Sequence, residues 1–600
     1  MSVLNSLSMT LIITGELLRT VLELSVRALS TTLIEEATVF QESSHYTLGA
    51  QDPRRAVGGI MSRLWRCIAA LSLALISQTS AADDRPNIIL IVTDNQSDKL
   101  LGVYGNEDVR TPNIDALASQ GTRFTGAFAA SGVCSPTRAS LLTGLMPSQH
   151  GVHNGLPSVF DVEDYSAIEE FRSMPQTLSE AGYRTAMIGK YHLGVPDSPQ
   201  IGFDYWVVLP SGHTTTFYGL EVIDNGRRYR VKDEHLTDFW TRRAVDFIEE
   251  QDSNAPFFLY LAYNGPYGLA PVVTRKPDNR HADYYRRHVP SFPQEPVHPF
   301  LRNYAIDASR GDHILVEQAS NRDWLIEDPM ELGDMGAKIE FSYAWQTIHA
   351  LNNKEAMINL ASQMTMIDDG VASVAEALQK KGLNENTVIV FTADQGAAFG
   401  QHGLWGNSSA ASPFTAQREH LQVPLIVNDP RIADGPETSA NIINQVDIFP
   451  TVLELAGLED IEIANSPGRS FAPLLRGESQ EWDDAAYFEY ITTRAIVTSE
   501  WKYVKRIFGQ PSELYHLASD PGERHNVINH PDKAATLVWL DGRLTDFFFE
   551  YSNEKYDPWR GGTAKALMMY WDYNEDFEST FTDWRPPFVE KQERFSDLPR

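Results

Sequence analysis

Residues 87–96 read NIILIVTDNQ, five apolar side chains in succession that give way at once to polar ones. The same form recurs at 183–192 (YRTAMIGKYH), 256–267 (PFFLYLAYNGPY) and 386–396 (NTVIVFTADQG). Apolar runs without alternation suit strands buried on both faces, which is the condition of a parallel sheet covered by helices. In such sheets ligands bind beyond the carboxyl ends of the strands, and Asp94, Lys190, His192, Tyr267 and Asp394 all fall there. The fold expected is therefore α/β, a large, mostly parallel sheet sandwiched by helices.

Helical patterns lie between these runs, at TDFWTRRAVDFIEEQ (237–251) and MIDDGVASVAEALQKKG (366–382). The second closes in two lysines and a glycine, as a helix C-terminus prefers. Residues 272–345 are rich in proline, histidine, arginine and tyrosine with little periodicity, and read as an insertion or lid. Beyond VDIFPTVLELAG (446–457) the texture shifts to short alternating runs such as RAIVTSEWKYVKRI (494–507), the mark of antiparallel strands. The expected division is a catalytic domain over 83–470 and a smaller α+β subdomain with an antiparallel sheet over 471–600.

The N-terminal stretch is read separately. From Met61 the chain runs MSRLWRCIAALSLALISQTSAADD, two arginines, an uncharged apolar run and then small residues, the pattern of a secretory signal peptide over 61–82. The apolar run is short for a spanning helix, so no stable membrane association is expected, and residues 1–60 read as a spurious or unstructured leader. Export then places the protein in the periplasm or the medium. The formal charge of −30 with a sequence pI near 4.9 argues against a nucleic-acid partner, since phosphate contacts need a dense basic footprint.

The chain holds two cysteines, Cys67 and Cys134. If Cys67 leaves with the signal, Cys134 stands alone in an oxidising compartment, where an exposed thiol is a liability unless buried or chemically converted. Its context is SGVCSPTRASLLTG (131–144). Pro136 suits the first turn of a helix, which puts Cys134 near a helix N-terminus, where anions are favoured. Arg138 on the same turn offers a planar fork for an oxyanion. On these residues alone an activated thiol at an anion site and a cysteine packed beneath a helix start both remain open.

Cys134-Ser135-Pro136-Thr137-Arg138 with ASLLTG after it resembles the signature of the type I sulfatases, within the alkaline-phosphatase superfamily. TDNQ (93–96), GKYHLG (189–194), TADQG (392–396), HGLWG (402–406), VDIFPTVLELAG and ELYHLASDPGERHN (513–526) match blocks of that family in order, so the resemblance spans about residues 86–530. It implies an alkaline-phosphatase-like fold and oxidation of Cys134 to formylglycine by a maturation enzyme. One hydroxyl of the hydrated aldehyde would attack sulfur and expel the alcohol; the other would collapse to aldehyde and release sulfate. It further implies one calcium ion, a hard cation suited to oxygen ligands, at Asp94, Asn95, residue 134, Asp394 and Gln395. Arg138 would hold the hydrate, Lys190 a sulfate oxygen, and His192 would act as base, a role its ordinary pKa suits.

Three positions depart from the family pattern. Asn95 stands where a second carboxylate is common, with Gln395 as the amide at the other end; Tyr267 replaces the histidine that protonates the leaving oxygen; Asn407 replaces a lysine. His213 and His402 are further candidates for that acid. The substrate expected is a sulfated carbohydrate, such as an algal polysaccharide or its oligosaccharides. Aromatic stretches at 501–503 (WKY), 557–562 (DPWRGG) and 568–576 (MMYWDYNED) are suited to stacking on sugars. Two other readings stay open: a phosphoesterase or phosphonate monoester hydrolase of the same superfamily, and a sulfated-glycan-binding homologue without turnover.

Overall fold

An uninterrupted apolar run has no solvent face to offer, so it must lie inside a sheet covered on both sides. In the structure, a computed structural model, the four runs become strands that are buried almost throughout. The residues described are 85–565, apart from 157–164, 195, 211, 213, 215, 252–254, 270–277, 294, 296–352, 411–413, 433–434, 436 and 508–509. The expected leader and signal peptide, most of the 272–345 tract, His213 and the aromatic stretch at 568–576 lie outside them.

Among the described residues the strands are β1 (Asn87–Thr93), β2 (Thr122–Phe128), β3 (Arg184–Gly189), β4 (Tyr205–Val208), β5 (Glu221–Asp224), β6 (Arg227–Arg230), β7 (Phe257–Ala262) and β8 (Thr387–Ala393). There follow β9 (Ala398–Phe399), β10 (Trp405–Gly406), β11 (Leu425–Asn428), β12 (Thr438–Asn444), β13 (Ala485–Tyr490), β14 (Thr493–Thr498), β15 (Trp501–Arg506) and β16 (Glu513–His516). The helices of eight residues or more are α1 (Pro112–Ser119), α2 (Cys134–Thr143), α3 (Leu236–Glu249), α4 (Lys354–Lys381), α5 (Ile448–Leu455) and α6 (Ala534–Glu550).

Ten strands form one sheet in the order β12-β2-β11-β8-β1-β7-β3-β4-β5-β6. The four strands read from sequence are its adjacent, parallel centre, β8-β1-β7-β3. The antiparallel pairs involve β11 on one side and β5 and β6 on the other. Alternate residues of each central strand face opposite layers. Ile89, Ile91, Leu259, Leu261 and Phe391 pack with Trp240 and Phe247 of α3 and Ile367 of α4. Ile88, Leu90, Val92, Phe258 and Val390 pack with Leu141 and Leu142 of α2 and Phe449 and Val452 of α5.

Helix α4 begins at Lys354 rather than at 366. Its added turns are buried nearly all round from Ala356 to Asp368, so they carry no amphipathic period to read. Asn353 caps it by accepting from the N–H groups of Glu355 and Ala356, and Gly382 closes it in the left-handed region at φ +67°. No helix among the described residues is long and apolar enough to cross a membrane.

The C-terminal strands make a second, four-stranded antiparallel sheet, β13-β14-β15-β16, beside which α6 buries Leu540, Leu544 and Phe548. This sheet is fastened to the chain just ahead of α2: Glu489 N–H donates to Ala130 O at 3.0 Å and Ser131 Oγ to Glu489 O at 2.7 Å. Behind that joint Arg494 bonds Glu489 at 2.6 Å and Asp557 at 2.7 Å, with its guanidinium 3.9 Å from the centroid of Phe548.

His235 caps α3, its Nδ1 accepting from Thr237 N–H at 3.2 Å, and stacks on Phe217 at 4.8 Å. Burial, with Arg280 adding to it, pushes its pKa down to about 3. The unfolded chain therefore takes up this proton first, so the stability involved is whole above about pH 6.5 and is lost as pH falls toward the folded value. His235→Asn keeps a capping acceptor and should flatten the stability profile by about 1.4 kcal/mol per pH unit between about pH 6 and 4. Urea unfolding at several pH values checks this; an unchanged slope would rule it out.

Candidate active site

The parallel register continues past the strand ends. Asp394 N–H donates to Thr93 O at 2.9 Å, Asp94 N–H to Gly265 O at 2.9 Å and Lys190 N–H to Ala262 O at 2.9 Å. The residues that end β8, β1, β7 and β3 are thus held side by side on one rim, and helix α2 is directed at it. Every residue of α2 is buried, Cys134 being its first.

The side chains at this rim form one cluster. Arg138 donates to Asp394 Oδ2 from Nη2 at 2.7 Å and from Nε at 3.0 Å, and to Lys190 O from Nη1 at 2.6 Å. Its Nη2 also lies 3.6 Å from Asp94 Oδ2, with which Lys190 Nζ forms a close ion pair. Asp394 Oδ1 accepts from the backbone N–H groups of Asn95 at 3.1 Å and Gln395 at 2.8 Å. Cys134 Sγ lies 3.6 Å from Asp94 Oδ1 and 3.4 Å from Gln395 Nε2. Ligand atoms of Asp94, Cys134 and Asp394 are all within 4.8 Å of one another.

Burial and charge set the protonation here. Burial pushes the Cys134 thiol up to about 12, and the neighbouring Asp94 carboxylate adds to the shift. The same two causes, burial and then Asp94, raise Asp394 to about 6. Burial alone would lower Lys190 and Arg138, but Asp94 for the lysine and Asp394 for the arginine outweigh it, and both are raised. Cys134 is therefore a protonated thiol, and it is the thiolate that attacks electrophiles.

Asp94, Asn95, Cys134, Arg138, Lys190, Asp394 and Gln395 thus meet in one buried group. Tyr267 borders it, with Lys190 Nζ 5.2 Å from its ring centroid. His192 takes φ +58°. Its Nε2 donates to Leu156 O at 3.0 Å, which puts the proton of the neutral ring there, and its carbonyl accepts from Ser135 Oγ at 2.9 Å. A Cβ on Gly212 would fall 2.0 Å from that Nε2, so only glycine leaves room for the ring. His402, at φ +54° in the turn between β9 and β10, has Nδ1 3.2 Å from Arg524 and Nε2 3.5 Å from Glu419. Two residues escaped the sequence reading: Thr137, whose Oγ1 lies 3.2 Å from Gln395 Oε1, and Gln445, whose Nε2 donates to Asp394 O at 2.9 Å. Thr137 lay inside a quoted motif; nothing local marks Gln445.

Two carboxylates and two primary amides, all fully buried, are hard oxygen donors of the kind calcium takes. The donor set fits such an ion.

The first residue of α2 thus faces paired carboxylates on the rim of a parallel sheet. Residues 86–458 match the Sulfatase family, and the chain belongs to it, a family of sulfuric ester hydrolases. Residues 414–548 also match the family described as N-sulphoglucosamine sulphohydrolase, C-terminal. The chain is 28% identical over 571 residues to the N-acetylglucosamine-6-O-sulfatase of Bacteroides thetaiotaomicron, a match covering 87% of this chain and 97% of that one. It is 26% identical to an ulvan-active sulfatase of Formosa agariphila, covering 82% and 88%. A solved structure in complex with D-glucosamine-2-N,6-O-disulfate is similar with a TM-score of 0.61 at 26% identity, over 78% of this chain and 98% of that one.

Arg138→Lys keeps the charge but not the fork, since one ammonium cannot reproduce the two bonds to Asp394 and the third to Lys190 O. Losing charge-assisted hydrogen bonds worth about 1.5–3 kcal/mol, the variant should lose roughly 10- to 100-fold in kcat/KM on a sulfate ester. Steady-state kinetics with the folded variant decide it, and wild-type efficiency would refute the assignment.

Proposed function

We propose that this protein is an exported sulfatase that removes sulfate from a carbohydrate, using residue 134 as formylglycine and one calcium ion. The observation that carries the reading is the Cys134 thiol. It sits at the start of α2, 3.6 Å from Asp94 and within the reach of two carboxylates, two cations and two amides, yet its own acidity is suppressed. As a thiol it is chemically idle in the most elaborate site of the molecule. Conversion to an aldehyde hydrate gives that position an oxygen nucleophile.

Asp94, Asp394, Asn95 and Gln395 would hold the calcium ion together with residue 134. When bound, the ion supplies Lewis acidity toward a sulfate oxygen and toward the nucleophile. The protein side chains orient the rest. Arg138 fixes the Asp394 carboxylate by two bonds and ties it to the Lys190 carbonyl, so the carboxylate cannot turn as charge moves. Lys190 brings a positive charge over Asp94 and beside Tyr267, suited to an incoming sulfate oxygen. His192 is assigned as base toward residue 134, to whose neighbour Ser135 it is bonded. With Nε2 carrying the proton given to Leu156 O, Nδ1 is the ring nitrogen assigned to take up a proton. Donation to the leaving oxygen is assigned to Tyr267.

Support for a carbohydrate substrate comes from relatives, two of which are named N-acetylglucosamine-6-O-sulfatase and ulvan-active sulfatase. Export is supported by the signal-peptide pattern over 61–82.

Protein produced with a maturation enzyme and supplied with calcium should carry an aldehyde at residue 134 by peptide mass spectrometry. It should release sulfate from at least one of 6-O-sulfated N-acetylglucosamine, a 2-O-sulfated uronate disaccharide and sulfated ulvan oligosaccharides, while Cys134→Ala releases none. A plain thiol at residue 134 in an active preparation would overturn the nucleophile. Turnover of phosphate esters with none of the sulfated sugars would overturn the substrate.

A further inference from the structure

Behind the carboxylates runs a line of neutral side chains whose orientation leaves no choice. Asn407 and Ser409 follow β10 and are nearly fully buried. Ser409 donates to Asn407 Oδ1 twice, from its backbone N–H at 3.2 Å and from Oγ at 2.5 Å. A backbone N–H can only donate, so the oxygen of Asn407 faces Ser409 and its nitrogen faces outward. That nitrogen donates to Asn95 Oδ1 at 3.0 Å. At the other end Asn95 Nδ2 donates to Asp94 Oδ1 at 2.8 Å.

The Asn95 amide is thus fixed from both sides. Turned over, it would set nitrogen against the Asn407 nitrogen and oxygen against a carboxylate. A carbonyl oxygen has two lone pairs. Asn407 engages one, and the other accepts from Gln395 Nε2 at 2.7 Å, a donor that must turn aside before an ion can take that lone pair. Neither Asn407 nor Ser409 carries a charge, so this line steers an oxygen without altering the balance of Asp94 and Asp394 against Arg138 and Lys190.

We propose that Asn407, held by Ser409, is a positioning residue for the cation end of the site, keeping the Asn95 carbonyl oxygen turned away from Asp94 so that it would be available to the ion. The proposal rests on the calcium reading given above. It assigns Asn407 no contact with the reacting atoms.

The test follows the unfolding temperature of the matured full-length protein, first chelated and then titrated with calcium chloride, because a ligand bound only by the folded state raises that temperature by an amount that grows with the logarithm of its concentration relative to Kd. Asn407→Ala should raise by about tenfold the calcium concentration needed for a given rise, the scale of one lost hydrogen bond to a polar group. Ser409→Ala should move it less in the same direction, and Ser409→Thr, which keeps the hydroxyl, should restore the wild-type value. If Asn407→Ala fails to fold, the Ser409 pair decides the matter. A variant with a lower calcium-free unfolding temperature but the wild-type rise at each calcium concentration would show Asn407 to be merely structural and overturn the proposal. A wild-type protein that does not respond to calcium would instead overturn the calcium reading, and the proposal with it.

Discussion

Four formal charges, Asp94, Asp394, Arg138 and Lys190, meet where no water reaches. Removing an ion from water costs several kcal/mol even after relaxation, and its partner repays this only when the geometry is close and the remaining hydrogen-bonding capacity is used. Each of the four comes from a different element, so the whole chain is constrained to deliver them together. Asp94 and Asp394 are neighbours because β1 and β8 are neighbours, at the strand spacing of about 4.8 Å. Lys190 lies two strands from Asp94, across the end of β7, and only a long side chain reaches that far.

Arg138 is the piece that the sheet cannot supply. It arrives on α2, whose entry is set by the segment just before Val133, and that segment is held by the C-terminal sheet through Ala130, Ser131 and Glu489. Glu489 is itself secured by Arg494, which also binds Asp557. The second sheet is therefore part of how the helix that carries Cys134 and Arg138 is aimed. A path of bonded groups runs from Asp557 through Arg494 and Glu489 to the residues ahead of α2. A buried pair broken along this path costs about 3–5 kcal/mol, a cost felt at the site as well as in the fold.

What could be read from the sequence divides along physical lines. The four central strands were legible because burial on both faces removes alternation, and the polar residues that end them were legible because ligands gather at such ends. The beginning of α4 was not, since burial all round erases the period that marks a helix. Strands β4 to β6, four residues each, are too short to carry a pattern. CSPTR by itself shows a helix start and a fork for an anion; its chemical meaning came from resemblance. Gln445 and Asn407 depend on contacts across 51 and 312 residues of chain, and no local property of either foretells them.

Asn95 joins these strands of argument. It takes a left-handed backbone at φ +56°, a conformation asparagine tolerates better than most residues. That turn lets its own N–H reach Asp394 Oδ1 at 3.1 Å while its side-chain nitrogen reaches Asp94 Oδ1 at 2.8 Å. One residue thus bridges both carboxylates by donated hydrogen bonds. Before any cation binds, an aspartate there would set a third negative charge against Asp94 with only Arg138 and Lys190 to balance the three. The amide keeps the carboxylates together at two negative charges against two positive ones, and still offers an oxygen. The departure from the family pattern at this position is a change in how charge is balanced, made while keeping an oxygen donor.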